Sequence, residues 1–361
     1  MTFVRDSLRA AAQAIGPNNV IMTTAAGNPS HMIRVPRFNL EDIDPALGTG
    51  AHPAFIVGGV EKTEFYIGKY QGFRKDGELL SLPDVDPANS RNMDQFIADA
   101  RACGTGWGVA TNAMYSALAL WCWKNGFQPR GNSNFGRSSD ATWETGIRQD
   151  GQAPGLASGS ARVLTGSGPN SWRHNNSSDG IADLCGNVWE WSPGLRIVGG
   201  EIQIIPNNDA ALLTTDHGAT SAAWRAINAV TGALVVPTFT GTVAGGDYVA
   251  TTATTVRYAL TGTDNYTLVR ASGGTFEGML NPGASAVADA ALRVLKAHGM
   301  YPVVNTGLGG DGVYYTVATE RLPLRGGNWD VGSFAGVFAL RFSYARSDSV
   351  THIGARPAFV L

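Results

Sequence analysis

The chain has 361 residues, enough for one large domain or two ordinary ones with a sizeable core. Only 16% of the residues are charged and 46 are glycine, which excludes an architecture of long helices and points to short strands and many loops. A net charge of -2 gives no electrostatic case for nucleic acid or for an anionic membrane surface.

At the N-terminus, Ser7 to Ile15 predicts a short amphipathic helix stopped by Gly16-Pro17. The segment lacks the basic start and continuous apolar centre of a signal peptide, and no run in the chain is long enough to span a membrane. The expectation is a protein made in a cytoplasm that works outside a cell only by another route, such as inside a virus particle. Residues 1–53 read as an accessory or attachment segment preceding a domain of residues 54–361.

AFIVGGV (54–60) and KTEFYIGKYQG (62–72) read as two strands, the second alternating at Phe65, Ile67 and Lys69. Asn89 to Cys103 predicts a helix, with Asn89 or Ser90 as its cap and Met93, Phe96, Ile97 and Ala100 on its apolar face. Thr111 to Asn125 predicts a second helix, ended by Gly126. Residues 126–178 are loop chemistry, and residues 195–205 alternate like one strand. Residues 206–321 are rich in Thr, Ala and Gly. Short strands are expected there at 233–236, 248–252, 256–260 and 266–269, with a third helix from Ala284 to His298.

Cys103, Cys122 and Cys185 are widely spaced, with no CxxC and no Cys/His cluster, so buried apolar thiols are expected. His174 and His217 have no metal-ligand spacing and read as surface imidazoles. GLGGDG (307–312) lacks the Lys-Ser/Thr of a phosphate loop.

Residues 325–361 interleave two kinds of residue. Gly326, Gly327, Trp329, Gly336, Leu340, Gly354 and Arg356 form a frame. Asp330, Val331, Phe334, Arg341, Ser343, Tyr344, Asp348, Val350, Thr351 and His352 mix chemistries and follow neither the strand nor the helix period. A fixed backbone with chemically diverse side chains is what a binding surface requires.

GNVWEW (186–191), preceded by Asp183, resembles the signature of formylglycine-generating-enzyme-like proteins, a branch of the C-type lectin fold. EFYIGKYQG (64–72), the helix pair within 90–125, RGGNW (325–329) and Ala355-Arg356-Pro357 follow in the family's order. The resemblance covers residues 54–205 and 322–361, leaving 206–321 as a large insertion. It implies an α+β, C-type lectin-like domain with short strands, two main helices and much loop. The family's enzymes carry copper-binding cysteines shortly after the Arg-Gly-Gly motif, and residues 325–361 contain none. Related sulfoxide synthases bind iron through a His triad on an N-terminal bundle, and residues 1–53 offer only His31 and His52. A metal-dependent oxidoreductase is therefore the alternative reading and not the leading one.

The C-terminal segment resembles a second branch, the variable proteins of diversity-generating retroelements. In these, template adenines are randomised and copied into the end of the gene, so Asn codons become codons for other residues within a constant frame. RGGNW, AGVFAL and IGARPA match such a frame, with the ten residues named above at the varied positions (variable region 325–358). The resemblance implies a receptor-binding display protein, not an enzyme, that binds a host-surface protein or glycan. It implies a phage tail tip, or alternatively a bacterial cell surface, and a homotrimer as the assembly. Trp329, Arg346 and Arg356 would be the scaffold of the site. A structural virion protein without ligand is the remaining rival. No cofactor is required. Family members can bind structural calcium through positions matching Asp183, Gly186, Val188 and Glu190; the alternative is that Glu190 accepts hydrogen bonds in a buried turn.

Overall fold

The computed structural model describes residues 2–238 and 254–361. The class is α+β, as expected: short strands gathered in sheets, five α-helices among the described residues, and much loop. The strand expected at 248–252 lies outside the described residues.

One sheet joins the two ends of the chain. Its order is Asn19–Thr23, Pro29–Pro36, Glu64–Gly68, Pro357–Phe359, Trp107–Val109, antiparallel throughout. Phe65, Ile67 and Lys69 all point inward, as their alternation predicts. Residues 19–36, expected in a separate accessory segment, are instead two strands of this sheet. The ammonium of Lys69 holds the join by donating to Asn19 Oδ1 at 2.6 Å. The N-terminal helix runs Thr2–Ile15, longer than expected, and stops at Gly16.

A second sheet carries much of the expected insertion: Leu234–Val235, Arg225–Ile227, Glu201–Ile204, Arg257–Tyr258, Thr267–Arg270 and Met279–Leu280, with Leu195–Val198 paired to Glu201–Ile204. The single strand expected over 195–205 is therefore a hairpin, because Gly199 (φ 57°) and Gly200 (φ 86°) turn the chain back. The same effect corrects 54–60. Gly58-Gly59 turns it into a small hairpin of Ile56–Val57 with Val60–Glu61, behind a 3-10 turn at Pro53–Phe55.

The third sheet carries the C-terminal segment. Its order is Val313–Tyr315, Gly336–Tyr344, Leu322–Gly326, Trp189–Trp191, Ile353–Gly354. Val313–Tyr315 comes from within the expected insertion, so that stretch contributes a strand to the sheet that holds the frame.

Both main helices form where the apolar spacing places them, at Met93–Arg101 and Asn112–Lys124. The first is capped by Asn92 and not by Asn89 or Ser90. Asn92 Oδ1 accepts from Gln95 N at 2.9 Å, and Gln95 Oε1 accepts from Asn92 N at 3.1 Å. Ser90 sits outside the helix at φ 55° and donates its N–H to Val350 O at 3.1 Å, tying the helix entry to the C-terminal loop. The third helix is shorter than expected, Asp289–Ala297. Asn281 holds the preceding residues in a loop by accepting from Val287 N and donating to Val287 O, both at 2.9 Å.

Candidate functional site

The site is anchored on an ion pair inside the core. Arg356 is fully buried and Glu190 nearly so. The guanidinium donates to Glu190 Oε1 at 2.8 Å and Oε2 at 3.0 Å, and to the carbonyls of Gly68, Ala182 and Asp183 at 2.9, 2.9 and 3.1 Å. The Tyr115 hydroxyl also donates to Glu190 Oε2. Burial opposes the charge on Arg356, but Glu190 and Tyr115 outweigh it and hold the pKa above the ordinary arginine value. The closing strand is thus fixed to both the first sheet and the Trp189–Trp191 strand. Arg346 makes a second tie, donating to Asp94 Oδ1 at 2.8 Å and to Glu320 Oε1 and Oε2, both at 3.1 Å.

The atoms expected to hold calcium converge on a side-chain amide. Gln71 Nε2 lies 3.3 Å from Asp183 O, 3.3 Å from Gly186 O, 3.1 Å from Val188 O and 3.0 Å from Glu190 Oε1. The carboxylate of Asp183 turns away and accepts from Gly166 N at 2.8 Å. A nitrogen donor at the centre of an oxygen cage, with Arg356 on the same carboxylate, does the work a cation would do, so these residues do not fit calcium. In this arrangement Asp183, Gly186, Val188 and Glu190 surround the Gln71 amide, and Glu190 is a hydrogen-bond acceptor in a buried turn. Chelating or adding millimolar calcium is expected to leave the thermal midpoint unchanged. A rise of several degrees on adding calcium would show that the Gln71 amide gives way to the ion.

The two interleaved sets of the C-terminal segment separate by burial. Gly326, Gly327, Trp329, Gly336, Leu340, Gly354 and Arg356 are all buried. None of the ten candidates is: Asp330 and Thr351 are exposed, and Val331, Phe334, Arg341, Ser343, Tyr344, Asp348, Val350 and His352 are half-buried. Close packing explains the frame glycines. A Cβ on Gly327, whose φ is 94°, would lie 2.6 Å from Ala335 Cβ, and one on Gly336 would lie 1.9 Å from Asp311 Oδ1.

Four of the candidates form one band. Phe334 stands edge-on to Tyr314 with ring centres 6.3 Å apart. The Arg341 guanidinium lies over Tyr344 at 5.0 Å, Tyr314 at 5.5 Å and Trp189 at 5.9 Å, with no carboxylate paired to it among the described residues. The Tyr344 hydroxyl is 2.8 Å from His352 Nε2, and the His352 ring stands edge-on to Trp329 at 6.1 Å. Burial lowers the pKa of His352; Asp330 pulls it up and Arg341 pushes it further down.

Val331, Tyr344 and Val350 rest on the core cluster that contains Trp189 and Trp191. Asp348 turns inward, its Oδ2 accepting from Ala345 N at 2.8 Å, so it shapes the loop as well as facing solvent. Thr351 gives its carbonyl to Arg162 Nη1 at 3.2 Å. Tyr314 is the member that sequence reasoning missed. It lies in the expected insertion, and nothing in its neighbourhood marks it as a partner of Arg341.

The remaining titratable candidates are structural. All three cysteines are buried and unpaired, as expected, and burial pushes the Cys103 thiol up to about 12. His174 Nδ1 accepts from Ile181 N at 2.8 Å and its ring packs on Trp121. His217 is buried and not a surface imidazole. Its Nε2 bonds to Ala210 O at 3.1 Å, and burial lowers its pKa to about 4.

No family model matches the chain, and no curated protein matches it. Among solved structures, the chain is similar to Treponema denticola variable protein 1, at 11% identity and a TM-score of 0.35, covering 95% of this chain and 99% of that one. A likeness of that degree assigns neither fold nor function, so the site rests on its own geometry.

Proposed function

We propose that this chain is a ligand-binding display protein whose C-terminal surface varies at ten positions on an invariant, C-type lectin-like frame. It is read as the variable protein of a diversity-generating retroelement. The observation that carries the reading is the separation by burial. The ten positions were assigned from their mixed chemistry within the frame, and all ten are residues that an Asn codon can become. The frame is buried and every assigned position reaches the surface, including the apolar Val331, Phe334 and Val350. The three apolar positions are half-buried, and Val331 and Val350 also pack against the core, so the polar and aromatic members carry most of the exposed surface.

The band of Phe334, Arg341, Tyr344 and His352 supplies large contact area and directional donors of the kind that dominate binding energy. The partner is a host-surface protein or glycan, recognised without metal and without catalysis. The place of action is the tail tip of a phage, with a bacterial cell surface as the alternative. A homotrimer would raise the avidity of individually weak sites.

The test replaces all ten residues by another set reachable from Asn codons. Stability is expected to change by only about 1–2 kcal/mol, mostly from Val331, Tyr344 and Val350, since surface substitutions are individually small. Binding to glycan arrays and to a panel of bacterial surface proteins is expected to change completely. A loss of stability large enough to unfold the protein would place these residues in the core and end the reading. DNA beside the gene should also hold a near-copy of the codons for 325–358, differing at template adenines.

A further inference from the structure

A cavity of about 260 Å³ lies between the loop following the Asn112–Lys124 helix, the Gly-rich loop 307–311 and the start of the long strand Gly336–Tyr344. Its walls include the apolar Trp123, Phe127, Leu308 and Val337. Asp311 lines it and is only 5% exposed. Asp311 Oδ2 accepts from Phe338 N at 2.7 Å. Oδ1 makes no hydrogen bond and the carboxylate has no cation partner among the described residues.

The charges around Asp311 have the wrong sign to neutralise it. Asp140 shares the cavity lining and Glu277 acts on Asp311 from the loop beyond. The thiols of Cys122 and Cys185 are neutral, burial holding both above the ordinary range. Arg130 reaches the cavity wall, but its Nε donates to Glu144 Oε2 at 2.9 Å and its Nη2 to Glu144 Oε1, so its charge is already engaged. A buried carboxylate facing a partly apolar cavity, without a counter-ion, is costly unless something else supplies the charge.

We propose that this cavity binds a primary alkylamine, its ammonium seated on Asp311 and its chain lying along the apolar wall. Ser333 and Ala335 at the lining place the cavity beside Phe334, yet none of the ten candidate positions lines it. The pocket therefore lies beside the candidate positions without including any of them, and the proposal does not depend on the diversification reading. A free amine and a lysine side chain of a bound partner both present this chemistry.

Burial, helped by Glu277 and Asp140 and opposed by the Phe338 N–H, pushes Asp311 up to about 7. An ammonium ion prefers the ionised carboxylate, so affinity falls as pH falls through that value.

The experiment titrates the full chain with n-pentylamine, with Nα-acetyl-lysine methylamide and with neutral 1-pentanol, by calorimetry and by ligand-observed NMR. At pH 8, one of the amines is expected to bind with a Kd of about 1 mM or tighter, and 1-pentanol at least about tenfold more weakly. The tighter amine distinguishes a free ligand from a partner's lysine. Between pH 8 and pH 6 amine affinity should fall about tenfold, tracking the ionised fraction of Asp311, while 1-pentanol shows no trend. Asp311→Asn keeps a carbonyl for Phe338 N–H and should lose about tenfold or more in amine affinity. No amine binding to the wild-type chain at pH 8, an affinity equal to that of 1-pentanol, or a folded Asp311→Asn protein with unchanged affinity would each overturn the proposal. If the variant does not fold, the wild-type pH series decides.

Discussion

Arg356→Ala is expected to destabilise the protein by about 3–5 kcal/mol, the usual result of removing one partner from a buried ion pair. The guanidinium satisfies two carboxylate oxygens of Glu190 and three carbonyls at once, all within the core. Without it, Glu190 keeps the Tyr115 hydroxyl and the Gln71 amide but loses its only cation among the described residues. Three carbonyls also lose a donor, and the closing strand loses its tie to Trp189–Trp191. Against a total stability of about 5–15 kcal/mol, that is enough to leave the protein marginal. Arg356→Lys should rescue little, because a single ammonium cannot span five acceptors arranged for a planar fork. Chemical denaturation measures the difference. A loss below about 1 kcal/mol would mean that the Tyr115 hydroxyl and the Gln71 amide satisfy the Glu190 carboxylate without a cation.

The second large effect concerns Asp311 and pH. An unfolded aspartate titrates near 3.9; in the folded protein burial raises this one to about 7. Between those values the folded chain keeps a proton that the unfolded chain has lost. The contribution of this one carboxyl to stability is therefore most favourable below about pH 4, falls as pH rises toward 7, and then levels off. A shift of three units corresponds to up to about 4 kcal/mol, at 1.36 kcal/mol per unit. Asp311→Asn carries no titrating proton and removes that decline. The variant should match the wild type near pH 4 and exceed it at pH 8, in denaturation curves followed at both values. A difference that does not vary with pH would show that the carboxylate is stabilised by water or counter-ions. The substitution that stabilises the fold at pH 8 is the one expected to weaken amine binding about tenfold or more, which is the usual opposition of stability and function at a site.

Apolar periodicity was enough to locate the helices at 93–101 and 112–124 and the alternating strand at 64–68, because each depends on neighbours within a few residues, although the cap of the first helix lies at Asn92 and not at Asn89 or Ser90. It failed at 54–60 and 195–205 for one reason. Gly58-Gly59 and Gly199-Gly200 are turn residues inside apolar runs, and an apolar run reads as one strand unless its glycines are allowed to reverse it. The irregular pattern of the ten candidate positions also has a structural cause. Arg341 and Ser343 alternate with buried Leu340 and Phe342 on one strand, whereas Asp330 to Phe334 and Asp348 to His352 lie mainly in loops on either side. Two loops and a strand have no common period, so none could be found.

The amino-acid sequence by itself divided residues 325–361 into a frame and ten candidate positions, since the candidates mix chemistries and break both the strand and the helix period between glycine, tryptophan and leucine positions. It also determined that no thiol follows the Arg-Gly-Gly motif. Only the tertiary structure decided what those residues meet. It brought Tyr314 from the 206–321 stretch against Arg341, and placed Gln71 among oxygens expected to hold a cation. It also closed a cavity over Asp311. Each of these joins residues far apart along the chain, and such contacts come from how sheets stack and strands cross over, which local sequence pattern does not encode.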